Sequence, residues 1–254
     1  GDNMLKRIFA VVAVLLMAGC AARGFDRGAL RQQLPQEAPP HITSSDIQRA
    51  LELKPQLKFP FRLAIYMQPG IADVLDYERT PHAAQPFRRS VGVKEWRWEG
   101  EDKNQILSLA DKLKSDGVIS DMFIIPQARV SRNDTEGIRL AAAEHGADAV
   151  LVVNGIADVD RYNNYSAFLY LTVVGLWLVP GTHVDSLFVL DGAMWDVKNQ
   201  YLYLSVESEG LASKMGPQLV LQNKESVTDA KKLAIQSFGP ELANRLKAIA
   251  ALKP

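Results

Sequence analysis

The chain is poor in the residues that most often announce chemistry. Among its 254 residues there is one cysteine, Cys20, which excludes an intramolecular disulfide and a cysteine-built zinc site. The four histidines, His41, His82, His145 and His183, are scattered and form no HxH, HxxxH or HExxH pattern, so no metal site is expected. Net charge is also missing: 29 Lys plus Arg balance 29 Asp plus Glu, which gives no reason to expect a nucleic-acid partner. Walker A and GxGxxG motifs are absent, and Ser44, Ser45, Ser166 and Ser186 lack a GxSxG setting. No uncharged apolar run reaches the roughly 20 residues of a spanning helix. The expectation is a chain without catalytic constellation, cofactor or metal.

What is present starts at the N-terminus. Gly1-Asp2-Asn3 read as an extension before Met4. Lys6 and Arg7 then make a short basic region, and Ile8 to Met17 is apolar and uncharged, the length of a signal segment rather than an anchor. It ends in Met17-Ala18-Gly19-Cys20, which resembles the lipobox of bacterial lipoproteins. That resemblance implies cleavage between Gly19 and Cys20 and diacylglycerol, then palmitate, on Cys20. At about 0.8 kcal/mol per buried methylene, several acyl chains hold a soluble domain at a membrane. Ala21 rather than Asp follows the cysteine, which by the same resemblance favours the outer membrane.

The expected organisation is a signal peptide over 1–20, a tether over 21–43 rich in Pro and Gln, and one domain over 44–254. A short helix capped by Ser44 or Ser45 carries Ile47, Leu51 and Leu53. Phe59 to Met67 alternates as a first strand, and 68–89, with Pro69-Gly70, Pro81 and Pro86, reads as a long loop. Val91 to Trp98 is either a short strand or a loop that packs its tryptophans. Asp102 to Ser115 has helical spacing at Ile106, Leu109, Ala110 and Leu113, stopped by Gly117. A strand over Val118 to Ile125, a helix from the Asp134 cap to Gly146 with Ile138, Ala141 and Ala142 inward, and a buried strand over 149–153 follow. Ser166 to Val179, Val184 to Val197 and Tyr201 to Val206 read as antiparallel strands, the last two joined by a turn at Lys198-Asn199-Gln200. Helices over 228–237 and 241–251 are separated at Gly239-Pro240. Helix-linked strands pair mostly in parallel, and consecutive strands with short turns form a meander. The fold class is therefore α/β: a single mixed sheet with helices packed on it.

Several groups carry competing readings. Asp158, Asp160 and Arg161 follow the buried strand, where carboxylates serve acid–base chemistry or simply end a strand in solvent. Asp185 and Asp191, six apart, share one strand face and read as paired carboxylates or as edge protection. His145 lies at a helix end, where a cation suits the macrodipole. Trp96 and Trp98, two apart, are a stacking platform for sugars or core packing. The segment 167–179 has thirteen uncharged residues. It reads either as a central strand buried on both faces or as an exposed patch in which Phe168, Tyr170, Val174, Leu176 and Trp177 meet a neighbouring subunit or lipid. A pore-lining strand would need a polar face, and Thr172 is its only plain polar residue.

Gly146 to Val153, followed by strands with Trp195-Asp196-Val197 before a turn, resembles the domain of curli-export and related envelope lipoproteins. A closer resemblance rests on Leu171 to Gly181, Asp185 and Leu190 to Val197: these are similar to the rhombotarget lipoproteins over most of the mature chain. Some of that family carry a Gly-Gly sorting tail, and the sequence closes on Ala248 to Pro254 without one. That family supplies no mechanism. A tethered compact domain without an active-site pattern, in an α/β class that resembles envelope-assembly lipoproteins, leads to the expectation of a non-enzymatic outer-membrane lipoprotein facing the periplasm, an accessory or scaffold of an envelope assembly or export system, with a protein partner or self-association. A small-ligand or glycan-binding module is the alternative, and a hydrolase the third reading.

Overall fold

The computed structural model describes residues 24–34, 42–70, 96–163, 181–217 and 221–251. Five strands form its frame: β1 (Phe61–Met67), β2 (Ile119–Ile124), β3 (Ala149–Asn163), β4 (Thr182–Asp196) and β5 (Leu202–Gly216). They make one sheet in the order β2-β1-β3-β4-β5. β1 runs parallel to both of its neighbours, while β3, β4 and β5 are antiparallel. The expected single mixed α/β sheet is the fold observed. Six of the seven β1 residues are buried, as a central parallel strand covered on both faces requires.

The helices are α1 (Arg27–Arg31), α2 (Ser44–Glu52), α3 (Gly100–Leu107), α4 (Ala110–Ser115), α5 (Thr135–Glu144) and α6 (Asn223–Ala251). On the inner face α3, α4 and α6 bury Ile106, Leu113, Ala234, Phe238, Leu242 and Leu246 against Leu63, Leu151, Phe188 and Val206. On the outer face α5 covers Ala64, Tyr66, Val150 and Val152 with Ile138, Ala141 and Ala142, as its periodicity predicts. Asp134 caps α5 through Gly137 N–H (2.8 Å), and Gly146 ends it at φ +72°. Closest approach comes at Gly210 of β5, where any Cβ would sit 2.0 Å from the Ala230 carbonyl oxygen; only glycine lets α6 lie that near.

The structure departs from the sequence reading in several places. Asp102 to Ser115 is two helices, because the Ser108 hydroxyl donates back to Gln105 O and the turn tightens there. The α2 cap is Thr43 in a capping box with Asp46, not Ser44 or Ser45. β3 continues ten residues past Val153, so Asp158, Asp160 and Arg161 lie within a strand rather than after one. β5 extends to Gly216, well past Val206. Gly239-Pro240 does not break α6: Phe238, Gly239, Leu242, Ala243 and Leu246 are buried on either side, and packing offsets the lost backbone bond. Part of the segment expected to be an open tether is α1, docked on the outer face. Cys20 and Gly19, and the expected strand over 166–179, lie outside the described residues.

Candidate functional site

The sequence-predicted lipidation and cleavage residues, Cys20 and Gly19, and the predicted contact residues Phe168, Tyr170, Val174, Leu176 and Trp177, all fall outside the described residues. The structure places the points where both segments join the domain. Phe25 packs at the edge of an outer-face cluster, and Asn163 sits directly opposite Thr182 at the last described pair of β3 and β4.

The described feature closest to Cys20 along the sequence is an ionic clip. Asp26 caps α1, accepting from Ala29 N–H at 2.9 Å. Arg27 and Arg31, four apart, project on the same side of the helix, with Leu30 beside them. Leu30 is 3% exposed and packs on Ile156, Leu187 and Val189, with Phe25 and Leu34 at its edges. Arg27 Nε donates to Glu209 Oε2 at 2.8 Å. Arg31 Nε donates to both Glu207 oxygens (2.8 and 2.9 Å), and its Nη2 reaches Glu209 Oε1 at 2.7 Å. Glu207 and Glu209 share a face because they are two apart on β5. The sequence reading missed all four charged residues. The signal that could have found them is Asp26 followed by Arg-x-x-x-Arg and one leucine, paired with Glu-x-Glu on an alternating strand.

Beneath the clip, Asn154, Asp191 and Glu207 form one cross-strand row. Burial, followed by the Glu207 charge, pushes the Asp191 carboxyl above the usual range, while its bond from Asn154 opposes this. The Asn154 Oδ1 atom is buried and has no hydrogen-bond partner.

Asp185 and Asp191 do share a face, but six strand residues put them about 20 Å apart, too far to act as a pair. Asp185 instead accepts from Tyr162 OH (3.1 Å) and from the Ser213 hydroxyl (2.5 Å), and the Tyr162 ring stacks on His183 with centroids 5.1 Å apart. The His145 Nδ1 atom bonds Ala141 O at 2.7 Å at the end of α5. Among the described residues no group of three or more His, Cys, Asp or Glu could hold a metal ion.

Trp96 and Trp98 lie in a loop and meet edge to face, 84° apart, so they do not present one flat surface. Trp96 is buried against Phe188, and Trp98 Nε1 donates to Gln68 O at 2.7 Å. Next to Trp96 opens a cleft of about 440 Å³, lined also by Arg97, Glu99, Lys224, Thr228 and Lys231. Lys231 is buried in its floor, donating to Asp102 Oδ2 at 2.5 Å and to Arg97 O at 2.8 Å.

The fold and this face define an α/β sheet domain whose first described helix is clipped to the sheet. Solved structures overlap it loosely. Protein XCC0632 from Xanthomonas campestris, of family DUF330, has a TM-score of 0.32 at 13% identity, covering 79% of this chain and 93% of that one. The PelC dodecamer from Paraburkholderia phytofirmans gives 0.28 at 16% identity, covering 71% and 86%. Protein CT253 from Chlamydia trachomatis gives 0.30 at 11% identity, covering 75% and 99%. At such scores these likenesses carry no function across. No family model and no curated protein matches the chain. Among the described residues no helix is long and apolar enough to cross a membrane.

Proposed function

We propose that this chain is a lipoprotein of the bacterial cell envelope, acylated at Cys20 and held at the outer membrane with its domain in the periplasm. It acts without catalysis, as an accessory or scaffold subunit of an assembly or export system, through a protein partner or through self-association. The observation that carries this reading is the clip: seven residues after the only cysteine, Arg27 and Arg31 fasten the chain to Glu207 and Glu209. A domain fastened that close to its lipid is held in one orientation at the membrane, which suits a subunit that presents a surface rather than one that swings on a leash. Cys20→Ala should abolish incorporation of labelled palmitate and release the protein from the membrane fraction. Incorporation equal to the parent protein would refute the anchor. Cross-linking in intact cells followed by mass spectrometry should capture a defined envelope partner or a second copy.

The cleft beside Trp96 favours a second reading, a small-ligand module. Its lining offers Arg97 and Lys224 against one acid, Glu99, with the Lys231 charge already met by Asp102, so an anionic group fits between those two cations. Binding of small carboxylates, followed by tryptophan fluorescence and calorimetry, separates this reading from the scaffold.

A further inference from the structure

From Ser205 onward the odd-numbered side chains of β5 share the outer face. Beyond Glu207 and Glu209 this row continues with Leu211 and Met215, which are 51% and 56% exposed. Leu211 stands directly opposite Leu187, which is fully buried under α1. The exposed pair is thus the open margin of a covered apolar cluster. The polar groups between the two are engaged: Ser213 donates to Asp185, which also accepts from Tyr162. Lys214 points to the opposite face, toward Glu225 and Asp229. Asp160, which stands opposite Asp185, is 6% exposed.

The direction of α1 says what lies over this margin. Arg27 reaches Glu209 alone, while Arg31 reaches back to Glu207 as well. The helix therefore runs antiparallel to β5, and its N-terminal end points toward Leu211 and Met215. Along the strand these lie about 7 and 20 Å beyond Glu209. Gly24, the first described residue, lies three positions before α1, and Cys20, four residues earlier, can be no more than about 14 Å from Gly24 in any conformation.

We infer that this end of the outer face rests on lipid, with Leu211 and Met215 entering the interface of the bilayer that holds the Cys20 acyl chains. The inference rests on the anchor proposed above. The short span from Cys20 to the clip brings a bilayer to this margin, and among the described residues no comparable observation brings a second copy there.

The test uses the full chain, exported and lipidated in a bacterial host and reconstituted into phosphatidylcholine–phosphatidylethanolamine vesicles. Leu211→Cys, Met215→Cys and Lys232→Cys, the last exposed on α6, are made singly and labelled with a nitroxide. An acylated Cys20 carries no free thiol, so only the introduced cysteine takes the label. Collision with oxygen should exceed collision with a water-soluble nickel chelate several-fold at 211 and 215, with the reverse at 232. Nickel access at 211 and 215 equal to that at 232 would overturn the inference. So would shielding from both reagents with spin–spin broadening, which would mark a second copy. A chain that stays soluble and labels at Cys20 refutes the anchor first, and the orientation with it; flotation reads that result separately, before any collision is measured.

Discussion

Removing the buried cation Lys231 tests how α6 is locked to the rest of the inner layer. Its side chain is 3% exposed and that of Asp102 is 7% exposed, with 2.5 Å between Nζ and Oδ2. Asp102 Oδ2 also accepts from Glu99 N–H at 2.7 Å, closing the α3 capping box. Lys231→Met would keep the aliphatic volume and leave the carboxylate buried without its cation. Breaking one side of such a pair costs about 3–5 kcal/mol, a large share of the roughly 5–15 kcal/mol typical of a domain. Asp102→Asn strands the Lys231 ammonium instead, but should cost less, because the amide oxygen and Arg97 O still accept from it and Glu99 N–H keeps its acceptor. The double variant Lys231→Met with Asp102→Asn should recover most of the Lys231→Met loss, since no charge is then stranded. Urea denaturation followed by circular dichroism gives all three values and the coupling between them. Losses below about 1 kcal/mol for Lys231→Met, or strictly additive losses in the double variant, would refute the argument and mean that the pair is hydrated in solution.

The clip and the row beneath it give two more predictions. Arg31→Glu puts a third acid beside Glu207 and Glu209, so α1 should open and lose amide-exchange protection over 27–34; the ion pairs this breaks are worth on the order of 1 kcal/mol, and raised salt should weaken the parent clip in the same direction. Unchanged protection in Arg31→Glu would show that Leu30 alone holds the helix. Asp191 has its carboxyl pKa raised on folding, so the folded state holds the proton more tightly than the unfolded chain does. Its ionisation therefore costs stability, beginning as pH rises through the ordinary carboxylate range and complete once the raised folded value is passed. Asp191→Asn removes that cost and offers an amide N–H to the unpartnered Asn154 Oδ1, so the variant should gain on the parent in thermal melts as pH rises from about 3 to 7; a parent that gains instead would reverse the assigned sign.

Local signals were legible in the sequence where one face or one cap decided the outcome. Ile138, Ala141 and Ala142 with the Asp134 cap specify α5, and the β-forming residues from Phe61 to Met67 specify a strand, though the alternation read there does not show that both of its faces are covered. Length in the antiparallel half was not legible. Beyond Val206 the strand β5 reads Glu-Ser-Glu-Gly, which in isolation suggests a turn; it stays extended because β4 pairs with it throughout and α6 packs on Gly210. α1 was hidden for a related reason. Five residues cannot hold a helix on their own propensity, and the carboxylates that hold this one lie 176 to 182 positions away. The clip was not readable for the same reason: its partners meet only in the tertiary fold, and the Cys20 expectation lies outside the described residues.

The unbroken β3–β4 pairing has one more consequence. Fifteen facing pairs run from Ala149 and Asp196 to Asn163 and Thr182 without a shift of register. Because side chains alternate between faces, a slip of β4 by one residue would carry Leu187 and Val189 out of the cluster under α1 and pull Phe188 and Leu190 out of the inner layer. Burial on both faces therefore holds this ladder in one register.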